Sequence, residues 1–373
     1  MEKAGLNIIA FDIPYPADYG GVIDIFYKIK CLHEQNVELH LHCFKYGREE
    51  SKELEKYCKT VTYYERKLKV INLVSKKPFI IETRNNKNLL ENLLKNNFPI
   101  LFEGLHSTHL ISHKKLEFRK KVVRAHNIEH EYYYNLAKQE KNLLKKLYLK
   151  LEAIKLYFYE QILLKSNLIL SISEKDNEYF SSKYKKSILI PAFHEHSTLK
   201  SNFGKGNYIL YHGNLSVKEN EEAVFFLIDK VFSKIDFPVK IAGKNPSTRL
   251  EKKIKNVKNI ELQKNVSHEK MSDLIANSQI SVLFTFQTTG LKLKLLNSLY
   301  EGRFCIANDK MLFGTNLDKI CIIANLPESI ILEINKYFRQ EFSVNNWQER
   351  QIILEKEYSN EQNAKKIISA ILN

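Results

Sequence analysis

The stretch Ile8-Ile9-Ala10-Phe11-Asp12-Ile13-Pro14-Tyr15-Pro16-Ala17-Asp18-Tyr19-Gly20-Gly21-Val22 decides how the rest of the chain is read. Its apolar start, Ile8–Phe11, predicts a buried strand. Pro14 to Gly21 is rich in turn residues, and a helical pattern then runs from about Val22 to Gln35. Val37–Phe44 follows as a second strand. A strand, a crossover helix and a second strand make a unit of parallel sheet.

The same alternation continues outward. Further strands are predicted at Val61–Tyr64, Ile100–Phe102, Val122–Ala125, Leu168–Ser171 and Ile188–Ile190. The longest helix is predicted from about Glu131 to Lys165, with Leu143, Leu147, Leu151, Ile154, Phe158 and Ile162 at helical spacing. The polar, irregular segment Pro191 to Gly206 reads as a domain boundary. A second series then begins, with strands at Tyr208–His212, Val239–Ala242, Asn259–Leu262, Ile280–Phe284, Phe304–Ala307 and Cys321–Ile323. Helices fall at Lys218–Phe232, Thr248–Ile254, His268–Ala276 and Leu291–Tyr300, and two more close the chain at Pro327–Phe338 and Gln348–Leu372. The fold class expected is therefore α/β, with two doubly wound, Rossmann-like parallel-sheet domains facing a cleft. Their expected limits are 1–198 and 199–345, with 346–373 a closing helix that crosses back to the first domain.

Composition narrows the function. The 373 residues are 44% hydrophobic and 27% charged, which suits two ordinary globular cores. There is no apolar run of membrane-spanning length, and the N-terminus reads as a strand rather than a leader, so a cytoplasmic protein is expected. Cys31, Cys43, Cys58, Cys305 and Cys321 show neither a metal-binding nor a disulfide spacing. The net charge of +15 suits phosphorylated ligands or an anionic membrane surface. Lysine and arginine are concentrated between His113 and Lys165. Zinc spacings, helix-turn-helix signatures and RNP-like aromatic runs are all missing, so nucleic acid is not an expected partner.

The unusual residues lie where strands end, which is where open parallel sheets bind ligands. Gly20 and Gly21 open a helix and allow close backbone approach to an anion, although a plain tight turn would also explain them. Glu103 follows one strand. His126, with Asn127 and Glu129, follows another and is either a proton shuttle or a satisfied core histidine. Gly213 and Asn214, Gly243 and Lys244, and Gly290-Leu291-Lys292-Leu293-Lys294 close three strands of the second domain. A lysine in such a place can neutralise a diphosphate leaving group. On a helix, Lys292 and Lys294 would point about 200° apart and so could not share one ligand.

These motifs resemble those of the GT-B glycosyltransferases of family 4, over nearly the whole chain. Phe11 to Gly21 is similar to the family's opening loop with paired glycines. Val123 to Glu129 is similar to the segment that holds a histidine in the cleft, and Ile172-Ser173-Glu174-Lys175-Asp176 to the start of the last helix of the first domain. Tyr211-His212-Gly213-Asn214-Leu215 with Asn220, Ala242-Gly243-Lys244-Asn245-Pro246, and Gly290 to Leu296 with Gly302 are similar to the nucleotide-binding turns and the phosphate-cradling helix.

The resemblance implies transfer of a sugar from a nucleotide-sugar donor to a glycan, lipid-linked or other hydroxyl acceptor. It also implies retention of configuration, no metal and no cofactor. It makes His126 and Glu103 the catalytic candidates. The donor-binding candidates are Gly20, Gly21, Gly213, Asn214, Lys218, Lys244, Gly290, Leu291, Lys292, Lys294 and Asn297. Two departures stand out. Thr289 and Asn297 occupy the positions of two glutamates common in the family, and the usual arginine near Gly213 is missing, with Lys218 as its substitute. Two other readings are a non-catalytic GT-B-like partner subunit and a nucleotide-sugar isomerase. Surface polysaccharide or glycoconjugate assembly is the expected setting, with peripheral contact at the inner membrane face through the basic stretch Lys138–Lys165.

Overall fold

The structure is a computed structural model, and it describes residues 4–288 and 292–372. The chain divides into two compact units. Unit 1 comprises residues 1–195 and 360–373, and unit 2 comprises 196–359.

Unit 1 is built on seven parallel strands: β1 (Gly5–Ala10), β2 (Glu38–Lys45), β3 (Thr60–Glu65), β4 (Ile100–Glu103), β5 (Lys121–Ala125), β6 (Leu168–Ser171) and β7 (Ser187–Leu189). Their order is β3-β2-β1-β4-β5-β6-β7. Unit 2 has six: β8 (Ile209–His212), β9 (Val239–Gly243), β10 (Ile260–Lys264), β11 (Ile280–Leu283), β12 (Phe304–Ala307) and β13 (Ile322–Ile323), in the order β10-β9-β8-β11-β12-β13. Both sheets reverse their winding direction next to their first strand, between β1 and β4 and between β8 and β11. At such a point the loops on either side diverge and leave a crevice at the carboxyl ends.

The apolar runs become central strands because helices cover both sheet faces, and β1, β4, β5 and β8 are buried along their whole length. One face of unit 1 packs Leu6, Ile8, Leu41 and Leu101 with Ile25, Ile29 and Leu32 of the helix Gly20–Glu34. The other packs Ile9, Phe44, Phe102 and Val123 with Leu156 and Phe180. Each such aliphatic side chain contributes about 1.5–3 kcal/mol when fully buried.

Two long helical expectations divide. The segment 131–165 forms the helices Glu129–Gln139 and Leu143–Tyr159, then the 3-10 turn Glu160–Lys165. Glu140 is extended, and the Asn142 side chain caps the second helix by accepting from Lys145 N at 3.1 Å. Here a capping residue outweighs continuous periodicity. The stripe Leu143, Leu147, Leu151, Ile154 and Phe158 faces solvent, with Leu143 79% and Phe158 65% exposed. Leu149, Ala153 and Leu156 form the buried face instead. The closing segment also splits. Val344–Tyr358 belongs to unit 2, while Asn360–Leu372 joins unit 1 and packs Ala364, Ile367 and Ile371 into its core.

Candidate functional sites in the two units

In unit 1 the site begins with the helix Gly20–Glu34. Its N-cap residue, Tyr19, makes no side-chain cap, and the Tyr19 hydroxyl donates to Asp12 Oδ2 at 2.8 Å. The first-turn N–H groups of Gly20 and Gly21 therefore keep their capacity to bind an anion. Gly21 also leaves room for the Phe11 ring, which a Cβ there would meet at 2.6 Å and displace.

One turn further on, the same helix carries Asp24 and Lys28 on its inward face, both buried. Lys28 Nζ lies 2.9 Å from Asp24 Oδ2 and 2.8 Å from Glu103 Oε1. Glu103 is the register partner of Arg124 across β4 and β5. The Arg124 guanidinium grips Asp24 through Nη2 at 2.8 Å and Nε at 3.1 Å. His126, one residue past β5, places Nε2 3.0 Å from Glu103 Oε2 and 3.9 Å from Asp24 Oδ2. Two carboxylates and two cations thus balance in a buried cluster beneath one imidazole.

Burial is the largest single influence on both acids and favours their neutral forms. Arg124 and Lys28 overcome it at Asp24, and Lys28 and His126 overcome it at Glu103, so both carboxyls lie below their usual range. An ionised Glu103 can only accept, so His126 donates through Nε2. Its Nδ1, which has no protein partner among the described residues, is left to face a ligand. The Phe11 ring sits against this histidine, edge-on at 5.3 Å. Asp24, Glu103 and His126 bring one ligand atom each within 4.8 Å of the others, a spacing that would admit a cation. The Lys28 ammonium already bridges the two carboxylates, so the chemistry of the set does not call for a metal.

In unit 2 the turns after β8, β9 and β11 meet. Gly243 is the residue that lets them, since a Cβ there would lie 2.0 Å from the Gly213 carbonyl oxygen. Gly213 itself has room for a Cβ, at 3.5 Å from Asn220. Lys294, in the first turn of the helix Leu293–Glu301, donates to Asn220 Oδ1 at 2.8 Å and lies 5.2 Å from the centre of the Tyr211 ring. Burial, and then the charge of Lys292, pull this amine down to about 8. Lys292 lies 3.3 Å from Glu219 Oε1, and Glu219 also accepts a short bond from Thr285 Oγ1.

The two lysines therefore converge on the start of one helix, Lys218–Lys230, which corrects the expected divergence. Lys292 is the N-cap, with extended backbone at φ −84° and ψ 98°, so helical spacing does not apply to it.

Other candidates fall differently. The Asn214 side chain is used locally, accepting from Ser216 N and Oγ at 3.1 and 2.8 Å. Lys218 is exposed and pairs with Glu222 along its own helix at 3.6 Å. Lys244 is exposed. Asn297 Oδ1 is bonded to His196 Nε2 at 3.1 Å, and His196 stacks on Tyr300. Gly290 and Leu291, with Thr289, lie outside the described residues. Asp24, Lys28, Glu219 and Thr285 were not anticipated. Asp24 and Lys28 had a sequence signal, an i, i+4 pair of opposite charges inside an otherwise apolar helical stretch. Arg124, one of the basic residues between His113 and Lys165, is fully buried in its strand.

Residues 206–335, within unit 2, match the family described as "Glycosyl transferases group 1". An uncharacterized 44.6 kDa protein in the cps region of Klebsiella pneumoniae is 26% identical over 351 residues, covering 86% of this chain and 88% of that protein. A glycosyltransferase from Rickettsia africae superposes with a TM-score of 0.68 at 15% identity, over 100% of this chain and 98% of that one. Anabaena Alr3699/HepE, solved in complex with UDP and glucose, superposes with a TM-score of 0.65 at 9% identity, over 98% of each chain. The chain thus has the two-domain fold of GT-B glycosyltransferase structures.

Proposed function

We propose that the chain is a glycosyltransferase that takes a sugar from a nucleotide-sugar donor and passes it, with retention and without a metal, to a hydroxyl acceptor in surface polysaccharide or glycoconjugate assembly. The observation that carries this reading is the pair Lys292 and Lys294 converging at one helix start in the segment that matches the glycosyl transferases group 1 family. Two amines against one carboxylate leave a surplus positive charge suited to a departing diphosphate. In unit 1, the free N–H groups of Gly20 and Gly21 and the Nδ1 of His126 are the groups that meet the transferred sugar and its phosphate. Glu103, ionised by Lys28, orients His126. The cps-region relative and the UDP-bound neighbour support the setting and the donor class.

Contact with an anionic membrane, at the cytoplasmic face, is part of the proposal. The exposed stripe Leu143, Leu147, Leu151, Ile154 and Phe158 is flanked by Lys145, Lys146 and Lys150, a pattern suited to lying in a lipid interface. No helix among the described residues is long and apolar enough to cross a membrane. Co-sedimentation with vesicles containing phosphatidylglycerol is expected, and Leu147→Glu with Leu151→Glu should abolish it.

The second reading, a non-catalytic partner subunit, draws on one observation. Asn297, where the family commonly has a ribose-binding glutamate, is already engaged by His196. Thermal stabilisation across UDP-, GDP-, ADP- and dTDP-sugars tests the donor site by linkage. A saturable shift with one nucleotide series, followed by sugar transfer or slow hydrolysis, supports the enzyme. Binding without any turnover favours the subunit, and no shift from any compound counts against a donor site.

A further inference from the structure

Unit 1 holds two arginines that the site described above does not use. Arg66 follows β3, and Arg84 follows the short helix Phe79–Glu82. Arg66 donates to Thr83 Oγ1 through Nε at 3.2 Å and Nη2 at 2.9 Å, and its guanidinium lies 4.3 Å from the centre of the exposed Tyr46 ring. Arg84 is 3% exposed. It donates to the Phe11 carbonyl at 3.3 and 2.8 Å and to the Ile80 carbonyl at 2.6 Å. Every one of these acceptors is neutral. Among the described residues, neither guanidinium has a carboxylate partner.

The nearby acids make their hydrogen bonds elsewhere, and among them the charge of Asp12 acts on Arg84. Asp12 accepts from Tyr19 and from Ile13 N, both at 2.8 Å. Glu152 serves Lys155 and Phe79 N. Glu129 is pushed up to about 8, by burial first and then by Asp176, so it is mostly uncharged at neutral pH.

The surroundings register this surplus positive charge. Burial and then Arg66 lower Arg84 to about 9. Burial followed by Arg84, His126 and Arg66 holds His106 well below its usual range. The Nδ1 atoms of His106 and His109 are buried without a hydrogen-bond partner. A cationic pair in a low-dielectric edge, offset by the charge of Asp12 but ion-paired with no carboxylate among the described residues, is what a dianion would stabilise.

Its location indicates whose dianion. The Phe11 backbone held by Arg84 carries the ring packed on His126. On the other side, the segment after Arg66 exposes Leu68, Val70, Ile71 and Val74 among lysines, and Lys155 Nζ ties it to the exposed helix by donating to Leu73 O at 2.8 Å. The arginines thus lie between an apolar, basic surface and the imidazole of the transfer site.

We propose that Arg66 and Arg84 form an anion subsite that binds the phosphate of a phosphorylated acceptor, of the class in which a diphosphate joins an apolar chain to a sugar. This rests on the glycosyltransferase reading and names the acceptor chemistry for it. A soluble sugar phosphate offers the same group, so the test has two arms.

Titration calorimetry of the full chain with farnesyl diphosphate and, separately, with glucose 1-phosphate reads the site. Arg66→Gln is the variant of choice, because Arg66 is half-buried, whereas removing Arg84 would strip the Phe11 carbonyl of its donors. Arg66→Lys serves as the conservative control. Farnesyl diphosphate is expected to bind wild type and to lose at least tenfold in affinity in Arg66→Gln, with partial recovery in Arg66→Lys. Binding of the stabilising nucleoside diphosphate should stay unchanged. The same Arg66 dependence seen only with glucose 1-phosphate keeps the subsite and assigns it to a soluble acceptor. Equal binding of both probes to wild type and Arg66→Gln, or binding of neither to a wild type that binds nucleotide, overturns the subsite. Arg66-dependent binding in a protein that binds no nucleotide keeps the subsite and removes the donor reading.

Discussion

The buried network of unit 1 and the lysine pair of unit 2 handle charge in opposite ways. Around His126, Asp24 and Glu103 are matched by Lys28 and Arg124, all four buried, and each cation lies within 3.0 Å of a carboxylate oxygen. At the start of the Lys218–Lys230 helix, two amines face the single carboxylate of Glu219, and Lys294 rests on a neutral amide oxygen and an aromatic ring. A balanced, dry network is complete without a ligand and serves to orient one group. An unbalanced, half-buried one is complete only when an anion arrives.

The largest effect expected from this contrast is on catalysis. His126→Ala should lower turnover about 10²–10⁴-fold while leaving nucleotide binding within twofold, as for loss of a positioned proton-transfer or hydrogen-bonding group. Steady-state kinetics alongside calorimetry checks this, and equal losses in both would move His126 into the donor site. Next come the two buried cations. Lys28→Met leaves Asp24 and Glu103 short of a partner in a dry site and should cost about 3–5 kcal/mol of stability by urea denaturation. Lys294→Met removes a desolvated charge that has no ion-pair partner among the described residues and should leave stability unchanged or raised. If both variants destabilise alike, the contrast between the networks is wrong.

Lys294→Ala should weaken donor binding by roughly 1.5–3 kcal/mol, the worth of a charge-assisted hydrogen bond. Unaltered affinity would remove the residue from the site. The smallest expected effect is a pH slope. The free-site Lys294 amine titrates at about 8. Below that value it is already charged and ready for phosphate. Above it, binding must take up a proton, so affinity should fall about tenfold per pH unit. Lys294→Arg, charged throughout, should flatten the slope, and a slope that persists belongs to another group.

Much of the scaffold was legible in the sequence. The thirteen strands among the described residues overlap the predicted ones, and the central strands were the clearest because strands covered on both faces need continuous apolar side chains. Helix breaks were less legible. Periodicity runs straight through Glu140 and Asn142, and only the Asn142 cap and the Glu140–Lys145 pair end one helix and start the next. Glu103 and His126 could be singled out because both stand at carboxyl ends of strands. Asn214 and Lys218 lie in such a turn too, but their side chains are satisfied locally, and sequence position carries no information about where a side chain turns.

The sequence by itself determined the alternation of strand and helix, the division into two sheets and the strand ends at which polar residues collect, since these follow from periods of two and 3.6 and from turn chemistry. Only the tertiary structure decided which charges meet. Asp24, Lys28, Glu103, Arg124 and His126 come from one helix and two strand ends, and Lys292, Lys294 and Glu219 from two helix starts. Their pairing depends on strand order, because only β4 lying beside both β1 and β5 brings Glu103 against Arg124 and the first helix.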